Sequence, residues 1–288
     1  MKIDDLEFTE TGAIVQDLSG INSMLGCNKI DGIIGNSVLK LATWQIDYDE
    51  HFLTVSNDIK KLQTSSEPVN VGDKGWGVKR IKLTIDGNER SYIFDTGFNN
   101  FIQSNNYLKE SLEKENGEVN AVSISGELSA DLFGKNKSET FYIKVDSIQF
   151  AKNTITEQIV YTKTNGSSLI GNRFFEHFLI TYDWKNGHVY FDSKETFEKD
   201  SLFVFNELII PDYEVLKFKI VARWEKDSSA LTIGDYIESI NQLDVSHFTL
   251  DEFCNFLEEE WKKIKKEGEM TILVKGKEYV LEKKVLLN

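Results

Sequence analysis

The run Tyr92-Ile93-Phe94-Asp95-Thr96-Gly97 is the place in this sequence where residue types and order suggest acid–base chemistry. An apolar strand delivers a carboxylate into a Thr-Gly turn. Asp and Gly are also the usual residues of an ordinary Asx or β-turn, so the tripeptide by itself carries little weight. Its context adds more. Seventy-six residues after Asp95 (171 − 95) stands Leu169-Ile170-Gly171, two apolar residues and a glycine that open a short helical stretch. Other chemistries leave no trace in the sequence. His51, His177, His188 and His247 lack metal-ligand spacing, and there is no Gly-x-Ser-x-Gly elbow, P-loop or dinucleotide fingerprint. No metal or cofactor is expected.

The elements around Asp95 are strands. Residues 79–94 alternate through Ile81, Leu83 and Ile85, turn at Asp86-Gly87, and resume at Tyr92-Ile93-Phe94. Asp-Gly between alternating runs predicts a hairpin. A second hairpin is predicted over 182–191, with Asn186-Gly187 at its turn. Further strands are expected at 121–124, 140–145 and 158–162, and short helices at 106–115 and 173–177.

The chain also repeats itself. Ile33-Ile34-Gly35-Asn36 aligns with Leu169-Ile170-Gly171-Asn172 at an offset of 136 (171 − 35). The match continues without gaps: Trp44-Gln45-Ile46-Asp47-Tyr48 falls on Ile180-Thr181-Tyr182-Asp183-Trp184. Residues 2–8 match 144–150 at an offset of 142 (144 − 2), a loop difference. Two ordered blocks with identical polar residues are a weak fit to chance, and periods of this kind mark repeated units.

The 288 residues fit two or three domains. Lys+Arg 33 against Asp+Glu 47 gives a net charge of −14, which argues against a nucleic-acid or anionic-membrane binder. No apolar run approaches the ~20 residues of a membrane span, and the acidic, alternating N-terminus is not a signal peptide. Two distant cysteines, Cys27 and Cys254, exclude a disulfide framework and leave the redox compartment unread. Pro68 and Pro211 are expected in linkers, which sets provisional segments of 1–65, 70–200 and 205–288.

With these residues on the page, the chain resembles the aspartic peptidases, in particular the bacterial retropepsin-like members. Their lobes carry a hydrophobic strand ending in Asp-Thr-Gly and, later, a hydrophobic-hydrophobic-Gly segment packed behind the catalytic loop. The resemblance covers residues 78–191 as one complete lobe. It implies mainly-β acid-protease barrel lobes, the first truncated. Asp95 then corresponds to the catalytic aspartate, Thr96 to the residue whose hydroxyl braces the loop against the partner lobe, and Gly97 to the glycine that lets backbone approach the catalytic water. Phe98 stands where the family most often has Ala or Ser. The implied mechanism needs two carboxylates about 3 Å apart sharing one proton, and a flap, for which residues 123–134 are the candidate. The offsets place the second aspartate before Met1, at −41 or −47 (95 − 136 or 95 − 142). Residues 1–65 therefore read as the C-terminal part of a first lobe, and the chain as short by roughly 60–70 residues. The expected partner is a peptide or protein substrate. The family resemblance suggests a periplasmic or secreted protein.

Residues 205–288 differ in character. Residues 231–241 are expected as a strand led by a Gly-Asp turn. Leu250, Phe253, Cys254, Leu257, Trp261 and Ile264 then form one apolar helical stripe, with Thr249 and Glu252 as a capping box. Glu258→Lys262 and Glu259→Lys263 would pair at i,i+4. Strands at 270–274 and 278–285 follow. Plain core packing is the favoured role for Cys254 and Trp261. Gly234-Asp235-x-Ile237-x-x-Ile240-Asn241 resembles a PDZ segment, an α+β domain, and implies a C-terminal peptide ligand bound by strand addition.

Two readings follow. The first is an aspartic endopeptidase, inactive as this chain alone, with its second Asp upstream of Met1. The alternative is a catalytically inactive, peptidase-like scaffold that binds peptides or protein partners, favoured by Phe98 and the single visible aspartate. A homodimer sharing two copies of Asp95 ranks lower, because residues 1–60 should occupy the place where the second copy would dock.

Overall fold

The computed structural model describes residues 1–3, 5–73, 78–131, 134–164, 166–194, 197–224 and 230–288. The protein is mainly β. It divides into two compact units that do not follow chain order. The first takes Met1–Val15, Ile33–Val119 and Ile143–Asp200, and the second takes Gln16–Gly32, Asn120–Tyr142 and Ser201–Asn288.

The first unit is built on a closed barrel. The hairpin strands Lys79–Ile85 and Asn88–Phe94 pair in register from Arg80↔Ile93 to Ile85↔Asn88. Asp86 and Gly87 both have positive φ at its turn, as a primed two-residue turn requires. Leu169–Ile170, Ile102–Asn105, Asn153–Lys163 and the later part of Gly134–Phe150 continue the ring, and Ile148↔Ile85 closes it. Ile81, Leu83, Ile85, Val145 and Ile148 fill the interior. The alternation read from the sequence thus has its physical cause: one face of each strand turns inward. The expected helices form at Tyr107–Asn116 and Asn172–Phe175.

A five-stranded sheet in the same unit carries the repeat. Thr43–Asp47 lies antiparallel to Phe178–Asp183, with Trp44 opposite Tyr182 and Ile46 opposite Ile180. Each pair crosses the repeat, since Trp44 is equivalent to Ile180 and Ile46 to Tyr182. At the centre, Gln45 Nε2 donates to Thr181 Oγ1 at 2.7 Å, across a separation of 136 residues. Two equivalent residues that touch each other mark a local twofold axis. The Asn186-Gly187 hairpin forms as expected between Phe178–Asp183 and His188–Ser193.

In the second unit, the hairpin Glu207–Asp212 and Lys217–Trp224 packs Ile209, Phe218 and Ile220 against a helix running from Leu250 to Ile264. Pro211 is not in a linker. It lies within the Glu207–Asp212 strand, opposite Phe218, at the end of the sheet order, where a missing N–H costs no ladder bond. The strand expected over 231–241 shortens to Tyr236–Ile237 and Ser239–Ile240. The capping box is present: Glu252 N donates to Thr249 Oγ1, and Thr249 N to Glu252 Oε2. The helix then passes through a π turn at Leu257–Trp261. That turn shifts the helical register, and Lys263 pairs with Glu260 at 2.9 Å rather than with Glu259. Trp261 packs in the core as expected, 4.8 Å ring to ring from Phe218. Cys254 does not act as plain core: it forms a disulfide with Cys27 across 227 residues of sequence. The proposed flap stretch runs along the strand Ala121–Asp131, whose Gly126 pairs with Ala222. Residues 132 and 133 of that stretch lie outside the described residues.

Candidate functional site

Asp95 stands where the Asn88–Phe94 strand ends. Phe94 anchors that end, stacked on Phe175 at 4.1 Å and meeting Tyr182 edge-on at 4.8 Å. The strand Leu169–Ile170 runs parallel beside it, Leu169 opposite Ile93 and Ile170 opposite Phe94. Asp95 N donates to the Ile170 carbonyl at 3.0 Å. The chain then turns: Gly97 N donates to Asp95 Oδ1 at 2.9 Å, and Phe98 N to the Asp95 carbonyl at 3.2 Å. This Asx-type turn fixes one carboxylate oxygen. Thr96 and Gly97 are exposed, and Asp95 is half-buried.

Behind the turn lies Gly171. A methyl group there would fall onto the Phe98 and Asn100 carbonyl oxygens, so the close approach of the two segments requires glycine. Asn172 completes the brace. Its backbone N donates to the Phe98 carbonyl at 2.8 Å and its Nδ2 to the Thr96 carbonyl at 2.9 Å. Phe98 packs 5.9 Å from the Tyr161 ring and does not line the cavity described below.

Tyr48 holds Asn172 in turn, its hydroxyl donating to Asn172 Oδ1 at 3.0 Å. Burial, helped by the nearby Glu176 charge, pushes the Tyr48 phenol up to about 12. Sequence reasoning gave Tyr48 no role, although the repeat already made it the counterpart of Trp184. Tyr48→Phe is expected to cost about 1 kcal/mol by freeing Asn172. The pH dependence adds a sign. Unfolded Tyr48 ionises near 10 and folded Tyr48 near 12, so its contribution is complete below pH 10 and is lost as pH rises toward 12. The stability gap between wild type and Y48F, measured by urea unfolding, should narrow over that window.

A cavity of about 490 Å3 opens in front of the turn. Asp95, Thr96 and Gly97 form one wall, and Ile33, Ile34, Gly35 and Asn36 form another, with Leu53, Tyr182 and Trp184 between them. Lys79 lines it too, its Nζ 5.9 Å from the Trp184 ring centre. Among the described residues, the buried Tyr182 hydroxyl and Trp184 Nε1 find no hydrogen-bond partner. Among the described residues, Asp95 is the one acidic residue lining the cavity, and no group of three or more His, Cys, Asp or Glu is placed to hold a metal ion.

The two copies of the repeat differ at this cavity. Ile170 is buried, whereas Ile33 is 66% and Ile34 44% exposed. Gly171 is packed against the Asp95 loop, whereas a methyl group at Gly35 would meet nothing within 4 Å. Both glycines have extended backbone and both precede a short helix.

Chemically, one carboxylate held by a single N–H donor can take a proton or give one. It cannot do both at once on the same substrate. No helix of the described residues is long and apolar enough to cross a membrane.

No protein-family model matches the chain, and no curated protein matches it. Solved structures similar to it include the crystal structure of a retropepsin-like aspartic protease from Rickettsia conorii, at 16% identity and a TM-score of 0.30, covering 46% of this chain and 98% of that one. The architecture itself is mainly β with a closed barrel.

Proposed function

We propose that this chain is the Asp95-bearing part of an aspartic-type endopeptidase, completed by a segment that fills the cavity beside residues 33–36 and brings the second aspartate. The observation that carries the reading is the inequality of the two repeats: Gly171 closed by the Asp95 loop, Gly35 facing open space. The buried Tyr182 hydroxyl and Trp184 Nε1, without a partner among the described residues, support it, because buried donors are ordinarily partnered.

In the completed site, two carboxylates about 3 Å apart share one proton, since both cannot ionise. The ionised one takes a proton from water. The protonated one hydrogen-bonds the scissile carbonyl while that water attacks it. Asp95, Thr96 and Gly97 have the roles set out from the family resemblance, and residues 123–134 remain the flap candidate. Residues 205–288 are proposed as a PDZ-like domain that takes a peptide C-terminus by strand addition. Its support is the hairpin, capped helix and closing strands.

A second reading, the inactive scaffold that binds peptides or partners, is favoured by Asp95 being the sole acidic residue lining the described cavity. One assay separates the two. The 288-residue chain alone should not cleave a peptide library at acidic pH. The same chain produced with a preceding segment that carries a strand and Asp-Thr/Ser-Gly should cleave it and be blocked by a statine-type inhibitor. Cleavage by the monomeric chain alone, or none from a folded longer protein, would count against the proposal.

A further inference from the structure

Gln16–Gly32 leaves the first unit and belongs to the second. Its flanks are irregular and exposed: Ile14 is 91% and Val15 101% exposed before it, and Ile33 is 66% exposed after it. Within it, the helix Ser19–Leu25 is only 7 residues long and has no side-chain cap bond. A helix that short is not stable by itself in water, where ~12–15 residues are marginal. Asn22 closes the loop locally, its Nδ2 donating to the Ile30 carbonyl at 3.0 Å and its Oδ1 accepting from Ile30 N at 2.8 Å.

Among the described residues, contacts at Gly26 and Cys27 seat this loop. Gly26, buried and at φ +57°, lies against the ring of Tyr213, where a methyl group would fall inside that ring. Cys27 is bonded to Cys254 of the capped helix. Tyr213 itself packs 5.6 Å from the Phe253 ring. Both cysteines are half-buried, so a small reductant can reach them. Neither cysteine belongs to the core cluster of the second unit, which includes Phe218, Phe253, Trp261, Ile264 and Met270.

We infer that Cys27–Cys254 is a redox latch: in its oxidised form it holds Gln16–Gly32 on the Tyr213 face of the second unit, and a dithiol reductant releases that segment while the unit stays folded. One reductant thiolate attacks a bridge sulfur, forming a mixed disulfide and freeing one cysteine thiolate. The second reductant thiol closes on the mixed disulfide. The reductant leaves as a cyclic disulfide, and Cys27 and Cys254 end as two thiols. Once the bridge opens, the segment keeps the Gly26–Tyr213 contact and a helix of marginal length, the profile of a locally opening element.

The test uses the full chain, oxidised in air or treated with dithiothreitol, and reads tryptic cleavage after the exposed Lys29 together with near-UV circular dichroism. Reduction should speed cleavage at Lys29 by about tenfold or more and leave the aromatic signal intact. Cys27→Ser should behave as the reduced protein with or without reductant. Gly26→Ala keeps both cysteines but displaces the loop from Tyr213, and should make the bridge easier to reduce. Equal Lys29 cleavage in both redox states would overturn the latch. So would collapse of the aromatic signal on reduction, which would make the bridge a staple of the whole unit, or alkylation of both cysteines in the unreduced, air-oxidised protein.

Discussion

Gly171→Ala is expected to lower stability by about 3 kcal/mol or more, at the upper end of overpacking. Gly35→Ala, the same change in the other copy of the repeat, is expected to be neutral or to stabilise by about 0.5 kcal/mol. Both glycines have extended backbone, φ −123° at Gly171 and −92° at Gly35, so conformational freedom plays no part in the contrast. Space decides it. At Gly171 the added methyl meets the Phe98 and Asn100 carbonyl oxygens, which are backbone and cannot swing away. Relief requires moving the Asp95 turn, with loss of bonds from Asn172 N to Phe98 O and from Gly171 N to Phe101 O. At Gly35 the methyl enters open space, and alanine restricts only the unfolded chain. Calorimetry should show G171A melting roughly 6–12 °C lower, at the 2–4 °C per kcal/mol of a chain this size, and G35A unchanged or slightly higher. The proposed function reverses the second result in one setting. When a segment equivalent to residues 88–98 fills the cavity, G35A should block its docking as G171A disturbs its counterpart. A G35A variant as damaged as G171A in the 288-residue chain would mean that the space beside residues 33–36 is already filled.

The parts of this architecture that were legible in the sequence rest on short-range physics. Asp86-Gly87 and Asn186-Gly187 specify their hairpins because few residues accept positive φ at a tight turn. The repeat was legible because Ile34, Gly35, Asn36 and Asp47 are kept with their spacing, and Gln45 and Thr181 at its centre then meet each other. Asp95 and the Leu169-Ile170-Gly171 segment were also found, 76 residues apart, and the structure joins them through Asp95 N and the Ile170 carbonyl. What escaped depends on distant partners. Nothing in the spacing of two lone cysteines says that Cys27 and Cys254 meet across 227 residues, because that contact is set by where the 16–32 excursion lands. Pro211 is expected in a linker, yet an edge strand tolerates it. Tyr48 is an ordinary tyrosine until its hydroxyl is seen on Asn172. The π turn at Leu257–Trp261 likewise leaves no local signal, and it rearranges the ion pairs that i,i+4 spacing suggests.

Asp95→Asn should separate activity from stability. If the proposed pairing with a second aspartate holds, loss of the Asp95 carboxyl removes one half of the proton-sharing pair, and cleavage should fall about a thousandfold or more. The fold should hardly notice. Asp95 has one described side-chain bond, Oδ1 accepting from Gly97 N at 2.9 Å, and an asparagine carbonyl accepts the same bond in the same place. Its stability should stay within about 0.5 kcal/mol of wild type. Asp95→Ala loses that bond as well and should cost about 1 kcal/mol, so comparing N and A isolates the charge from the turn. The pH profile gives a further readout. A pair that shares one proton is active only between its two apparent ionisations, which yields a bell in the acid range. The residual activity of D95N should lose that bell, because a lone carboxylate has a single ionisation. Undiminished cleavage by D95N with the bell intact would place the chemistry elsewhere and return the chain to the scaffold reading.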